Sequence, residues 1–458
     1  MSTPVLVFVP GTLGSELLDD TGRIWPGSLL EAVRGFDGTK FNRLKAAGLK
    51  VGDIVRSAAG GLVSIYAPWI KAFEGLRIGN AQLFRENPIA GAPKTLRPFP
   101  YDWRADLVAT SGTFADFLDD ILKDIADADI KLVCHSQGGM LARFFLESGL
   151  FDTRAAFSRV SLLATFGTPH NGAPVAFAAA VGMHKTDFLS KQQTKDLAAH
   201  PNCPSLYQLF PGDTHSFIWN LTAGAAATPL AADALDVVRR YQLSQANLNK
   251  WRAFRAGLTG RRPKHVRYFF VIGSRQETLV RFTWDGQDLQ IVELEDGGDG
   301  TVSLLGAMDS ATQSEFVGKS HVSLIETRQA RETFASLLGA QTTFAVGDYS
   351  LSVRSTVVDT REPIHVQIEC LKPVDQLTAT LRFERADIQD EALVPLNPVF
   401  AAPSFTPVLP IAVKTIGLEF LNLTSPPIQT RGVYRPVMDV QGEGQVVGPQ
   451  FVVQQTGS

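Results

Sequence analysis

A chain of 458 residues with 45% hydrophobic content can bury a large core, and its length favours two or three domains over one. Lys+Arg at 43 against Asp+Glu at 46 leave a formal net charge of −3, which offers no footprint for a phosphate backbone, so no nucleic acid is expected. Cys134, Cys203 and Cys370 are odd in number, far apart and without metal-type pairing; they read as buried small hydrophobes of a reducing compartment, and neither metal nor other cofactor is expected.

The chain opens "MSTPVLVFVPGTLGSE". Residues 4–9 read as a buried strand and Pro10 to Gly14 as the tight loop after it. That apolar run is too short for a signal peptide, no basic residue precedes it, and nothing elsewhere reaches the roughly 18 apolar residues of a spanning helix. The expectation is a soluble cytoplasmic protein, with export by a route lacking a cleaved signal left open. Further strand-like stretches fall at Thr95–Phe99, Ile130–Cys134, Arg159–Phe166 and Val266–Ile272, with helical patterns such as Phe114 to Ile125 between them. Strands alternating with helices predict a parallel sheet covered on both faces, an α/β fold.

Residues 172–262 turn alanine-rich and helix-prone, with one long helix expected from about Leu230 to Phe254. So long an insertion exceeds a connector and reads as a helical cap over the strand ends. From Thr342 onward, "YSLSVRSTVV", "IHVQIECL" and "LTATLRFER" alternate: Ile364, Val366 and Ile368 face one way, His365, Gln367 and Glu369 the other. This predicts a separate all-β, sandwich-like module, removable near Thr342 without destroying turnover of a small substrate. The expected units are therefore 1–171 with 263–341, the insertion 172–262, and 342–458.

The chemistry centres on "KLVCHSQGGMLARFF". Ser136 follows a strand and precedes a helix with an apolar face, the setting of a nucleophile on a sharp turn, and equally of a small polar residue at a strand-to-helix handover. The turn needs small residues two before and two after the serine; Gly138 supplies one, and Cys134 replaces the glycine expected on the other side. An activated serine needs a base and an orienting carboxylate, in this chain order Ser, Asp, His. "EDGGDGTVSLLGA" supplies Asp299 after a strand pair, and "GKSHVSLIE" supplies His321. Asp296 competes as the acid, the Gly/Asp texture also fits a surface turn or a weak calcium loop, and His321 also fits a helix start. His170, in "FGTPHNGAP", is the rival base or a pocket-lining residue, while His135 should point away from the Ser136 hydroxyl. An oxyanion would need two backbone donors: the N–H of Gln137 at the helix start, and that of Leu13 or Thr12 in the first loop.

"VFVPGTLGSEL", "RPFPYDWRADL", "VCHSQGGMLARFFL", "LLATFGTPHNGAP", "CPSLYQLFPG", "GGDGTVSL" and "KSHVSL" stand in the order of the blocks of the lecithin:cholesterol acyltransferase-like family, which the chain resembles over about residues 4–338. The resemblance implies an α/β-hydrolase fold, a triad of Ser136, Asp299 and His321, an oxyanion donor at Thr12, and activity on lipid or other acyl esters. Asp102, Trp103 and Arg104 match its YDWR block, taken as structural because carboxylate and guanidinium pair bidentately while the indole packs. Cys134, the missing lid cysteines of secreted members and the C-terminal module depart from the pattern. The reading is a serine ester hydrolase of lipase or phospholipase type working through an acyl-enzyme, without cofactor, on a lipid or acyl-ester substrate at a membrane or micelle surface. Trp25, Trp69, Phe188, Tyr207, Phe210, Phe217 and Trp219 are candidate acyl contacts, against a plain core role. Alternatives are an O-acyltransferase using the same triad, a protease or deacylase, and a catalytically silent fold serving binding or assembly, with the C-terminal module as the partner-facing surface.

Overall fold

Val5 to Val9 form an uninterrupted apolar run, so both faces of that strand must find cover. In the computed structural model, which describes residues 2–212, 215–222, 226–309, 312–342, 348–388 and 398–455, they do. Val5, Val7 and Val9 enter one core while Leu6 and Phe8 enter another on the far side of the sheet. The sheet contains, in spatial order, Gln313–Val317, Arg267–Gly273, Val160–Phe166, Ala128–His135, Thr3–Val9 and Leu96–Pro98, all parallel. Helices Leu107–Asp124 and Gln137–Glu147 pack against it, which makes the fold α/β. The chain runs outward from Thr3–Val9 to Leu96–Pro98, then returns to the other side of the first strand. The order therefore reverses between Thr3–Val9 and Ala128–His135, and open parallel sheets bind ligands beyond the strand ends at such a reversal.

The YDWR block sits close by. Arg104 donates to both Asp102 oxygens, from Nε at 2.9 Å and from Nη2 at 2.7 Å, and the Trp103 ring packs edge-on against Trp25 at 5.5 Å. All three cysteines are buried.

The insertion is less regular than expected. It holds helices Pro174–Ala180, Lys191–Ala199 and Ser205–Gln208, and also strands Ile218–Asn220 and Thr228–Leu230, which join the hairpin of Gln276–Trp284 and Leu289–Gly298 in a second sheet. The long helix expected from Leu230 to Phe254 is instead two, Leu235–Tyr241 and Gln245–Gly257. Gln242 takes a left-handed conformation at φ 58°, and Ser244 starts the second helix by accepting from the Asn247 N–H.

The C-terminal region is β-rich, but its strands form one connected network rather than two separable sheets. Ile364–Ala386 is long enough to pair with Tyr349–Val353, Val408–Ser425 and Gly432–Val440. It has its own core, yet Val357, Ala386, Val433 and Val452 belong to the core of the parallel-sheet region. The stretch "YSLSVRSTVV" is also not one strand: it breaks into Tyr349–Val353 and Val357–Asp359 around Arg354 to Thr356. Residues 343–347, beside the expected boundary, and 213–214 and 223–225 of the insertion lie outside the described residues.

Candidate active site

Parallel register sets Val9 beside Cys134, so the loop from Pro10 and the turn at Ser136 leave the sheet side by side. Ser136 lies at φ 51°, ψ −125°, and its side chain makes no capping bond to the helix that follows. A non-glycine residue held there stores about 1–3 kcal/mol of strain. A serine serving only to start a helix would adopt extended dihedrals and cap the N2 or N3 amide with its hydroxyl. Here the backbone is strained and the Oγ is left uncommitted, which is the geometry of a nucleophile turn.

Close approach explains the glycines. A Cβ on Gly138 would lie 2.5 Å from the carbonyl oxygens of Val9 and Pro10, one on Gly139 would lie 2.1 Å from Thr168 Oγ1, and one on Gly11 would lie 2.8 Å from Ser136 Cβ. The turn is pinned further by the Ser136 N–H donating to Phe166 O at 2.9 Å and by Thr168 Oγ1 donating to Ser136 O at 2.9 Å.

His321 Nδ1 bonds Asp299 Oδ2 at 2.7 Å. The other oxygen, Asp299 Oδ1, accepts from the N–H groups of Thr301 at 2.9 Å and Val302 at 2.7 Å, and the His321 N–H donates to Asp299 O at 2.9 Å. The carboxylate is thus fully engaged and aimed at one ring nitrogen, which leaves Nε2 as the nitrogen available to act as base. Gly167, at φ 57°, lies against this pair; a Cβ there would be 2.9 Å from His321 Nδ1. Asp296 is exposed and takes no part.

His135 ties the site together through both ring nitrogens. The Gly11 N–H donates to Tyr66 Oη at 2.8 Å, Tyr66 Oη bonds His135 Nδ1 at 2.8 Å, and His135 Nε2 bonds His321 O at 3.0 Å. Since His321 O only accepts, His135 carries its proton on Nε2 and the tyrosine hydroxyl donates to Nδ1. Burial and the neighbouring His321 hold the His135 pKa well below the ordinary histidine range, which keeps this ring neutral. The buried chain links the first loop to the backbone of His321.

Ser136 and His321 line one cavity of about 780 Å³, together with Thr12 and Leu13. Leu13 is itself at φ 65°, and its carbonyl accepts from Trp25 Nε1 at 2.7 Å. Gln137 is fully buried with Oε1 bonded to Tyr101 Oη at 2.9 Å; its N–H, first in the helix, has no intrahelical acceptor. The cavity size falls within the range of small-molecule sites, and apolar side chains such as Ala176, Met183, Leu209 and Ile291 dominate its walls.

The expected substrate contacts divide. Trp25 and Phe188 line the cavity; His170, Tyr207 and Phe210 do not. His170 is a buried structural residue: its ring stacks on Phe270 at 3.6 Å, Nε2 bonds Thr165 Oγ1 at 3.0 Å, and burial beside Arg143, Arg262 and Arg255 lowers its pKa well below normal. Tyr207 and Phe210 stack on each other at 4.6 Å, with Tyr207 Oη accepting from the Ser244 N–H at 3.0 Å. Trp69 is buried beneath His135 at 5.0 Å, Phe217 packs on Phe177 at 5.2 Å, and Trp219 sits on the short strand paired with Thr228–Leu230; none of the three lines the cavity.

Three contributors were missed: Tyr66, Asp187 and the segment from Val353 to His365, all of which line the cavity. Nothing local marks them, because each reaches the site through long-range packing. Among the described residues no group of His, Cys, Asp and Glu is arranged to hold a metal ion, and no helix is long and apolar enough to cross a membrane.

Comparison with known proteins gives one family. Residues 89–260 match the family described as lecithin:cholesterol acyltransferase. No curated protein matches the chain. Among solved structures, the chain is similar to the product of gene lin2722 from Listeria innocua, with 10% identity, 75% of this chain and 96% of that chain covered, and a TM-score of 0.32. It is also similar to Spo0M, a sporulation control protein from Bacillus subtilis, with 11% identity, 25% and 51% covered, and a TM-score of 0.17. The matched segment contains both the Asp102–Arg104 pair and the Ser136 turn, and the similarity to the lecithin:cholesterol acyltransferase family extends over residues 89–260.

Proposed function

We propose that the protein has an α/β-hydrolase fold and is a serine-dependent carboxyl-ester hydrolase acting on lipid acyl esters. The observation that carries this reading is the strained, uncapped Ser136 facing the same largely apolar cavity as a His321 already oriented by Asp299. Ser136 Oγ attacks the acyl carbonyl as its proton passes to His321 Nε2. The N–H groups of Gln137 and of Thr12 or Leu13 receive the oxyanion, a contribution that preorganised donors make at no reorganisation cost. Collapse breaks the bond to the alcohol, which takes the proton from His321 and leaves an acyl-enzyme. Water, deprotonated by His321, then releases the acid, while Asp299 stabilises the imidazolium in both halves. Neutral Tyr66 and His135 hold the first loop and the His321 backbone in register without exchanging protons with substrate.

Turnover of p-nitrophenyl esters of graded chain length tests the reading. Wild type should favour chains that fill the apolar walls, and Ser136→Ala should be inactive on all of them. Equal turnover by Ser136→Ala would end the proposal.

A further inference from the structure

The cavity walls come from segments far apart in sequence: the first loop, Ala173 to Lys191 of the insertion, and Val353 to His365 of the C-terminal region. The last two meet at Asp187 and Thr356. Thr356 Oγ1 donates to Asp187 Oδ1 at 3.3 Å, beyond the usual 2.5–3.0 Å of an O–H···O bond. Asp187 is held at φ 36°, a conformation uncommon outside glycine, and faces the cavity. A carboxylate accepts through two oxygens with about four lone-pair directions, and one long bond leaves most of that capacity unused. Of the cations lining the cavity, Lys185 pairs with Glu362 at 2.6 Å and Arg354 with Glu277 at 2.7 Å. Glu293, Glu362 and Lys191 also line this cavity, Glu362 already paired with Lys185, and the Asp187 carboxylate itself makes an anionic group poorly suited to this point. What the site lacks is a hydrogen-bond donor.

We propose that Asp187 and Thr356 form an alcohol subsite, which holds free hydroxyls of a polyol, glycerol-like leaving group beside the Ser136-bound acyl carbonyl. The proposal rests on the reading of Ser136 as nucleophile. As the ester C–O bond breaks, the departing oxygen takes the proton held by His321, and a neighbouring hydroxyl of the same alcohol donates to the free oxygen of Asp187. By microscopic reversibility the subsite also presents such an alcohol to the acyl-enzyme. The C-terminal region is then part of the substrate site through Thr356, although it lies outside the segment that matches the family.

Soluble butyrate esters test this by kcat/KM: monobutyrin, with free hydroxyls; methyl butyrate, with none; and butyrylcholine, with a cation and no hydroxyl. The monobutyrin-to-methyl ratio within each variant cancels losses common to both substrates, including any effect of Asp187 on His321. Asp187→Asn should lower that ratio at least about tenfold, as expected for hydrogen bonds to a charged group. Thr356→Val should shift it the same way, and Thr356→Ser should restore it. An unchanged ratio in folded Asp187→Asn and Thr356→Val, with Ser136 still labelled by a fluorophosphonate, overturns the subsite alone. A larger loss for butyrylcholine than for monobutyrin also overturns it, by making Asp187 a cation site. Absence of labelling in wild type removes the parent reading and the subsite with it.

Discussion

Replacing Tyr66 with phenylalanine removes one oxygen and keeps the ring, so the change isolates the hydrogen-bonded chain that joins the first loop to His321. That oxygen accepts from the Gly11 N–H and donates to His135 Nδ1, both at 2.8 Å and both buried. A buried donor or acceptor left without its partner costs about 1–3 kcal/mol, so two of them should reduce stability by about 2–6 kcal/mol. The loop carrying Thr12 and Leu13 also loses its anchor, and loss of an oxyanion donor costs up to about 10²–10³ in kcat, so a fall of at least about tenfold is expected from its loosening. Urea unfolding followed by tryptophan fluorescence gives the first quantity, and turnover of p-nitrophenyl butyrate the second. Tyr434→Phe is the control: it removes a 2.8 Å bond to Thr430 O in the C-terminal region and should lower stability without lowering kcat. A Tyr66→Phe protein within about 0.5 kcal/mol of wild type, with kcat intact, would refute the argument, because neither stranded group would then carry its expected cost.

Asp299→Asn removes the carboxylate that fixes the His321 tautomer and should lower kcat by about 10⁴ with little change in fold; activity within tenfold of wild type would reassign the orienting acid. Burial holds His135 and His170 below the ordinary histidine range, so near pH 6.5 the unfolded chain takes up protons that the folded one refuses. The stabilisation present above that pH should decline on acidification by up to about 1.4 kcal/mol per pH unit per histidine, and urea midpoints that stay flat or rise between pH 7.5 and 5.5 would contradict it. Ending the chain at Thr342 should give an insoluble or inactive product: it strips Val357, Val433 and Val452 from the core, removes a cavity wall, and takes both partners of the buried Lys319 Nζ, namely Ser350 Oγ at 2.7 Å and Glu369 Oε2 at 3.1 Å. A soluble truncated chain with wild-type turnover of a small ester would restore the picture of an independent module.

The parallel sheet is legible in the sequence because its strands are covered on both faces, which writes them as continuous apolar runs such as Val5 to Val9. Ser136 is legible as a candidate from strand, serine and helix in succession. What supports the nucleophile reading, a positive φ and an uncapped hydroxyl, is geometry that the residue types allow without specifying. The insertion misleads because helix propensity runs almost unbroken from Leu230 to Phe254, while the Ser244 cap that restarts the helix is a short local signal within it. Tyr66, Asp187 and Thr356 are invisible because their partners are remote: 69 residues separate Tyr66 from His135, and 169 separate Asp187 from Thr356. The C-terminal wall is hidden for a related reason. Alternation carries through "YSLSVRSTVV", whereas in the fold the strand breaks at Arg354 to Thr356, where the chain packs against the parallel-sheet region and lines the cavity.

The central claim is that Ser136 is an activated nucleophile, and intact-mass spectrometry after treatment with a fluorophosphonate, followed by peptide mapping, tests it most directly. The account predicts one adduct per chain, located on Ser136, absent from Ser136→Ala and formed far more slowly in His321→Ala, because attack on phosphorus requires the same base as attack on an acyl carbon. No adduct on the wild-type protein, or an adduct that persists in Ser136→Ala, would contradict it.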